Sequence, residues 1–164
     1  MRALVVTDFG ATPELLDIQR PEPAVGEVRA RVRAASVNGF DTAVAAGYLK
    51  GMMEHRFPVV LGKDFASGID AVGAGVDGFA VGDRVFGVFT KAQPGDGPFG
   101  EYVTVPTAVG LAKLPDSIEF AEAASMGLAG AAAGDPTALL PVVRPGGKFF
   151  STLIGSPINC PATP

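Results

Sequence analysis

The chain has 164 residues, 48% of them hydrophobic and 18% charged, enough for one folded core and too apolar for disorder. Its net charge of −4 weighs against a nucleic-acid or anionic-membrane surface. With one cysteine, Cys160, and one histidine, His55, it can form neither an intrachain disulfide nor a four-ligand structural zinc site.

Residues 1–10 hold one basic residue and too short an apolar run for a secretory signal. No run approaches the ~20 residues of a membrane span, so the expectation is a soluble, cytoplasmic protein. Residues 2–7 predict a first strand, turned by Asp8-Phe9-Gly10, with residues 15–19 as its hairpin partner. Over residues 27–36, Val28, Ala30, Val32 and Ala34 alternate with Arg29, Arg31 and Arg33. That period of two predicts a strand with one apolar face and one basic, solvated face. Residues 42–46 predict a short helix ended by Gly47, and residues 48–58 a loop.

Gly73-Ala74-Gly75-Val76-Asp77-Gly78 spells G-x-G-x-x-G, the dinucleotide fingerprint. Its mechanism needs a helix after the glycines, whose N-terminus meets the pyrophosphate. Here a second turn at Gly82 leads into the strand-like residues 84–89, so the cluster reads as a turn between antiparallel strands. Residues 93–100, rich in glycine and proline, predict a mobile loop, and 101–106 and 110–114 two more strands. Short strands broken by glycine turns indicate a small β barrel or sandwich.

Further on, Ser117 as cap, with Glu119 and Glu122 in the first turn, predicts a helix running to about residue 128. Asp135-Pro136 stops helical chain, and residues 148–154 predict a β-prone strand whose uncharged stretch suits self-pairing into a homo-oligomer. The tail, 156–164, carries three prolines and predicts irregular chain.

Five pieces in order carry a resemblance: MRALVVTDFG (1–10) with ELLDIQRPEP (14–23), GEVRARVRAASVNGFD (26–41), PVVLGKDFASGIDAVGAGVDGFAVGDRV (58–85), GPFGEYVTVP (97–106) and LPDSIEFAEAASMGLAG (114–130). Over about the first four-fifths of its length the chain resembles the N-terminal, GroES-like domain of medium-chain dehydrogenases/reductases. Its nearest likeness is to the zinc-independent quinone oxidoreductases related to zeta-crystallin. The resemblance implies a mainly β fold with a few helices: a partly open GroES-like barrel over 1–129, a junction at 130–134, a Rossmann-domain remnant at 135–155 and the irregular tail.

It also implies a function, the substrate domain of an NADPH-dependent quinone or enone oxidoreductase. Zinc alcohol dehydrogenases of the superfamily bind their catalytic metal through a cysteine and through the histidine of a Gly-His-Glu triplet. Here Asn38-Gly39-Phe40-Asp41 has no cysteine and Gly62-Lys63-Asp64 puts lysine in the histidine's place, so no zinc is expected. The early and middle nucleotide-binding strands have no counterpart, which predicts weak or absent NADPH binding by this chain. Asn38, Asp41 and Lys63 are the implied cofactor-side residues. Tyr48 is the implied catalytic hydroxyl, stabilising or protonating the carbonyl oxygen that gains charge when hydride attacks. Each has a plainer reading. Asn38 and Asp41 suit caps of the short helix. Tyr48 suits a loop anchor, and Lys63 suits pairing with Asp64 or Asp41, or a solvated position, the last being its default. His55 reads as a loop residue. The alternative to an enzyme is a non-catalytic GroES-like scaffold or small-molecule-binding module.

Overall fold

The structure, a computed structural model, describes residues 1–91, 95–128, 148–150 and 157–159. Two antiparallel sheets carry the fold. Strand β1 (Arg2–Val6) lies between β2 (Glu14–Asp17) and the short β4 (Val59–Val60). The larger sheet orders β7 (Tyr102–Pro106), β3 (Glu27–Ser36), β5 (Asp64–Val72), β6 (Arg84–Val88) and β8 (Leu111–Lys113). Two short helices, α1 (Gly39–Ala45) and α2 (Phe120–Ala124), pack on this frame. Val28, Ala30, Phe65, Ile69, Val85, Val103 and Val105 form the core of the larger sheet. Val6, Val44, Val59 and Leu61 form a second core beneath α1.

Residues 95–100 join the sheets rather than looping free. Val60 N donates to Gly95 O at 2.8 Å, Phe99 N to Leu61 O at 2.9 Å and Leu4 N to Phe99 O at 2.9 Å. Glu101 continues the seam, its N–H donating to Arg2 O at 3.1 Å while its carbonyl accepts from Val32 N at 3.0 Å. Glycines at 95, 97 and 100 signal a loop by composition, yet Gly97 lets its backbone lie against that of Val60 and Leu61, where a Cβ would clash. The result is the mainly β, partly open barrel that the resemblance implies, with the sheets not closed on each other.

The G-x-G-x-x-G run is the β5–β6 connection. Gly75 and Gly78 take φ of 74° and 79°, and the chain returns as an antiparallel strand with Ser67 opposite Val85. Helix α1 starts earlier than its sequence suggests, at Gly39. Helix α2 is shorter: Glu119 rather than Ser117 caps it, and it ends at Ala124, where the Ser125 hydroxyl donates back to Glu122 O at 2.7 Å. Lys148–Phe150 (β9) and Pro157–Asn159 (β10) pair antiparallel, so part of the tail expected to be irregular is strand. The junction 130–134, most of 135–155, Cys160 and the rest of the tail fall outside the described residues.

The arginine row on β3 departs from simple alternation. Register shifts between Arg29 and Ala30 and between Val32 and Ala34 break the period, and Val28, Arg29 and Ala30 are buried in succession. Arg29, only 6% exposed, donates through Nε and a terminal nitrogen to Asp70 at 2.9 and 3.2 Å, and its other terminal nitrogen lies 2.7 Å from Glu22. These partners raise its pKa above the ordinary value, the Asp70 hydrogen bond most. Arg31 and Arg33 stay exposed as expected. Arg29→Ala is expected to cost about 2–4 kcal/mol in urea unfolding, because it strands the Asp70 carboxylate and empties a packed position, with Arg31→Ala and Arg33→Ala within about 0.5 kcal/mol of the parent. Equal effects at all three positions would contradict the buried role of Arg29.

Candidate active site

The site forms where β3 ends, α1 begins and β5 starts. Antiparallel register sets Ser36 opposite Asp64, so the last residue of β3 faces the first of β5. The Asp64 side chain is fully buried. It accepts from Ser36 Oγ at 3.1 Å, from Asn38 Nδ2 at 3.3 Å and, through Oδ1, from Leu128 N at 2.7 Å. Gly127 allows the last approach, since a Cβ there would sit 2.5 Å from Asp64 Oδ1.

Asn38 does two things at once. Its Oδ1 accepts from Phe40 N at 2.9 Å as the N-cap of α1, while its amide nitrogen reaches Asp64. Asp41 completes a capping box by accepting from Asn38 N at 2.9 Å through Oδ2. The helix-cap roles read from the sequence are therefore present. Asp41 is 3% exposed, and its Oδ1 has no hydrogen-bond partner among the described residues.

Lys63 follows Gly62, whose φ of 106° turns the chain from β4 into β5 and where a Cβ would press on Phe99. Its Nζ donates to Phe89 O at 2.8 Å and stands 4.8 Å from the Phe40 ring centroid and 5.9 Å from that of Phe89. The solvated lysine expected by default is instead half-buried between two phenyl rings. Burial lowers its pKa from the ordinary lysine value, against the opposing pull of Asp41 and Asp64. Burial acts oppositely on Asp41 and raises its pKa above the ordinary carboxylate value, with the Asn38 backbone bond and Lys63 resisting.

Asp41 and Lys63 border a cavity of about 250 Å³ lined also by Phe40, Val44, Leu61 and Phe89. A cavity of roughly 150 Å³ holds benzene, so this one takes a single substituted ring or a short acyl chain. Tyr48 is 77% exposed in the turn after α1 and is not part of this lining. His55 is a loop residue as expected: its Nδ1 bonds Met53 O at 2.9 Å and its ring packs against Phe9 and Phe57. Phe40, Phe89 and Met53 contribute to the lining without having been singled out in the sequence. Only the spacing of Phe40 beside Asp41 hints at it, because Phe89 and Met53 arrive from distant segments.

The description "alcohol dehydrogenase GroES-like domain" matches residues 24–116, and the chain belongs to that family, within the medium-chain dehydrogenases/reductases. It is 35% identical over 132 residues to a quinone oxidoreductase of Lama guanicoe, covering 78% of this chain and 38% of that protein. Its fold is similar to the quinone oxidoreductase of Coxiella burnetii, with a TM-score of 0.71 at 26% identity, covering 87% of this chain and 46% of that one. It is also similar to a mycobacterial protein solved in complex with NADPH, with a TM-score of 0.68 at 31% identity, covering 88% and 42%. The chain thus spans less than half the length of these relatives.

The raised Asp41 pKa has a signed consequence. A carboxyl that binds its proton more tightly when folded favours the fold at low pH and loses that contribution as pH rises through and above the ordinary value of 3.8. Asp41→Asn keeps an acceptor for the cap and removes the charge. Urea midpoints taken from pH 4 upward are therefore expected to show Asp41→Asn gaining on the parent as pH rises. A constant difference across that range would contradict the buried charge.

Proposed function

We propose that this chain is the substrate-side domain of a zinc-independent oxidoreductase that reduces quinones or enones with NADPH. Family membership and the quinone oxidoreductase relatives support the reaction class. The observation that carries the reading is the apolar cavity bordered by Lys63 and Asp41; the resemblance puts Lys63 where zinc relatives have a metal-binding histidine. The donor set there does not fit zinc. Lys63 offers N–H to a carbonyl and no lone pair while charged, and the Asn38 side chain is committed to the helix cap and Asp64.

NADPH supplies the hydride in this reading. The chain's own residues admit a flat apolar acceptor, keep water from it and hold a proton nearby. Charge that develops on the acceptor's oxygen is met by the Lys63 ammonium, which the cavity makes readier to give up a proton than an ordinary lysine. We give this role to Lys63 rather than to Tyr48, which stands outside the lining. Among the described residues the one fingerprint-like glycine run is a strand turn, with no helix N-terminus for a pyrophosphate. Weak NADPH binding by the chain alone is therefore part of the proposal, as are a cytoplasmic location and a homo-oligomer formed through residues 148–154.

Tetramethyl-1,4-benzoquinone, which has no free ring position for an amine to attack, is the probe. It is expected to raise the melting temperature progressively with concentration, the added stability reaching about 2.7 kcal/mol at a hundred times Kd. Tyr48→Phe is expected to keep the shift and Val44→Phe, which fills the cavity, to lose it. Calorimetry with NADPH alone is expected to give binding weaker than micromolar. Micromolar NADPH affinity, or a quinone shift that survives Val44→Phe, would contradict the proposal.

A further inference from the structure

Lys63 differs from the other lysines whose side chains the structure describes. Lys50 and Lys113 are exposed, and Lys91, though it touches the same cavity, is held by Glu27 at 3.2 Å and Thr104 at 2.7 Å. Lys63 has a carbonyl, two phenyl rings and the open cavity around its amine. A carbonyl and two rings solvate an ammonium less well than water does. Asp41 lines the same cavity, and its buried Oδ1 has no hydrogen-bond partner among the described residues. Burial shifts the two groups in opposite senses, the amine toward its neutral form and the carboxyl toward its protonated form.

We propose that Lys63 is a carbonyl-reactive amine that forms an imine with small aldehydes and ketones entering this cavity, with the Asp41 carboxyl as proton donor. The neutral Nζ adds to the carbonyl carbon, making the C–N bond and opening the C=O π bond. A proton passes from nitrogen to the new alkoxide oxygen and leaves a neutral carbinolamine. The C–O bond then breaks as that hydroxyl takes the Asp41 proton and departs as water. The nitrogen lone pair closes the C=N bond and leaves an iminium beside the Asp41 carboxylate. The sequence is redox-neutral and needs no cofactor. With a conjugated carbonyl, the iminium draws electron density from the β carbon, which activates the acceptor without a metal.

The cavity's size selects for a one-ring aldehyde, so benzaldehyde is the probe. The unmodified protein is incubated at neutral pH with benzaldehyde and cyanoborohydride, without NADPH, and benzylated lysines are located by peptide mass mapping. Lys63 is expected to be modified several-fold faster than Lys50 or Lys113, which serve as internal references in the same folded sample. Lys63 reacting no faster than those exposed lysines would overturn the proposal. Asp41→Asn is expected to slow modification at Lys63 while leaving Lys113 unchanged, and an unchanged Lys63 rate would overturn the acid role of Asp41. Neither a quinone nor NADPH enters this assay, and cyanoborohydride supplies the hydride, so its failure is separable from failure of the reductase reading.

Discussion

The Asp64 carboxyl sits at the first position of β5 with no exposed surface, and among the described residues it accepts hydrogen bonds from three separate parts of the chain. Ser36 speaks for the end of β3, Asn38 for the start of α1 and Leu128 for the segment beyond α2. A buried polar group left without such partners costs about 1–3 kcal/mol, so each donor has a reason to stay where it is. That requirement ties the entry to α1 to the larger sheet. It also explains why residue 127 is glycine and why Asn38 faces both its helix and the strand.

The cavity follows from that junction. With α1 anchored at its N-terminus, its Val44 and Phe40 roof the space above Val59 and Leu61, and Asp41 is carried under cover by the helix turn it caps. Lys63 reaches the same cavity from the start of β5, just after Gly62, whose backbone angle other residues rarely adopt. Two ionisable groups thus share a low-polarity space, each resisting its charged form and each partly supported by the other. A carboxyl shifted up and an amine shifted down both move toward neutral pH, the range the proposed chemistry needs, and the same two residues also cap and stitch the fold.

Much of this was legible in the residues. The strand at 27–36, the glycine turn between antiparallel strands and the partly open barrel follow from alternation, turn chemistry and family resemblance. Arg29 was not legible as a buried ion-pair partner, because a bulge shifts the faces of β3 and alternation carries no sign of bulges. Residues 95–100 read as a loop because glycine marks both mobile chain and close backbone packing. Lys63 read as solvated because burial depends on Phe40 and Phe89, one from each side of it in sequence and neither adjacent. Asp64 was visible only as a neighbour of Lys63, since its partner Leu128 lies 64 residues away.

The direct measurement of the central claim is amide hydrogen exchange at Leu128, whose N–H donates to a side chain rather than to a helix or strand carbonyl. If the Asp64 carboxyl organises the junction, the Leu128 amide is protected in the parent protein, and Asp64→Ala removes that protection together with that of Phe40 at the α1 cap. Rapid exchange of Leu128 in the parent, or unchanged protection of both amides in Asp64→Ala, would contradict it.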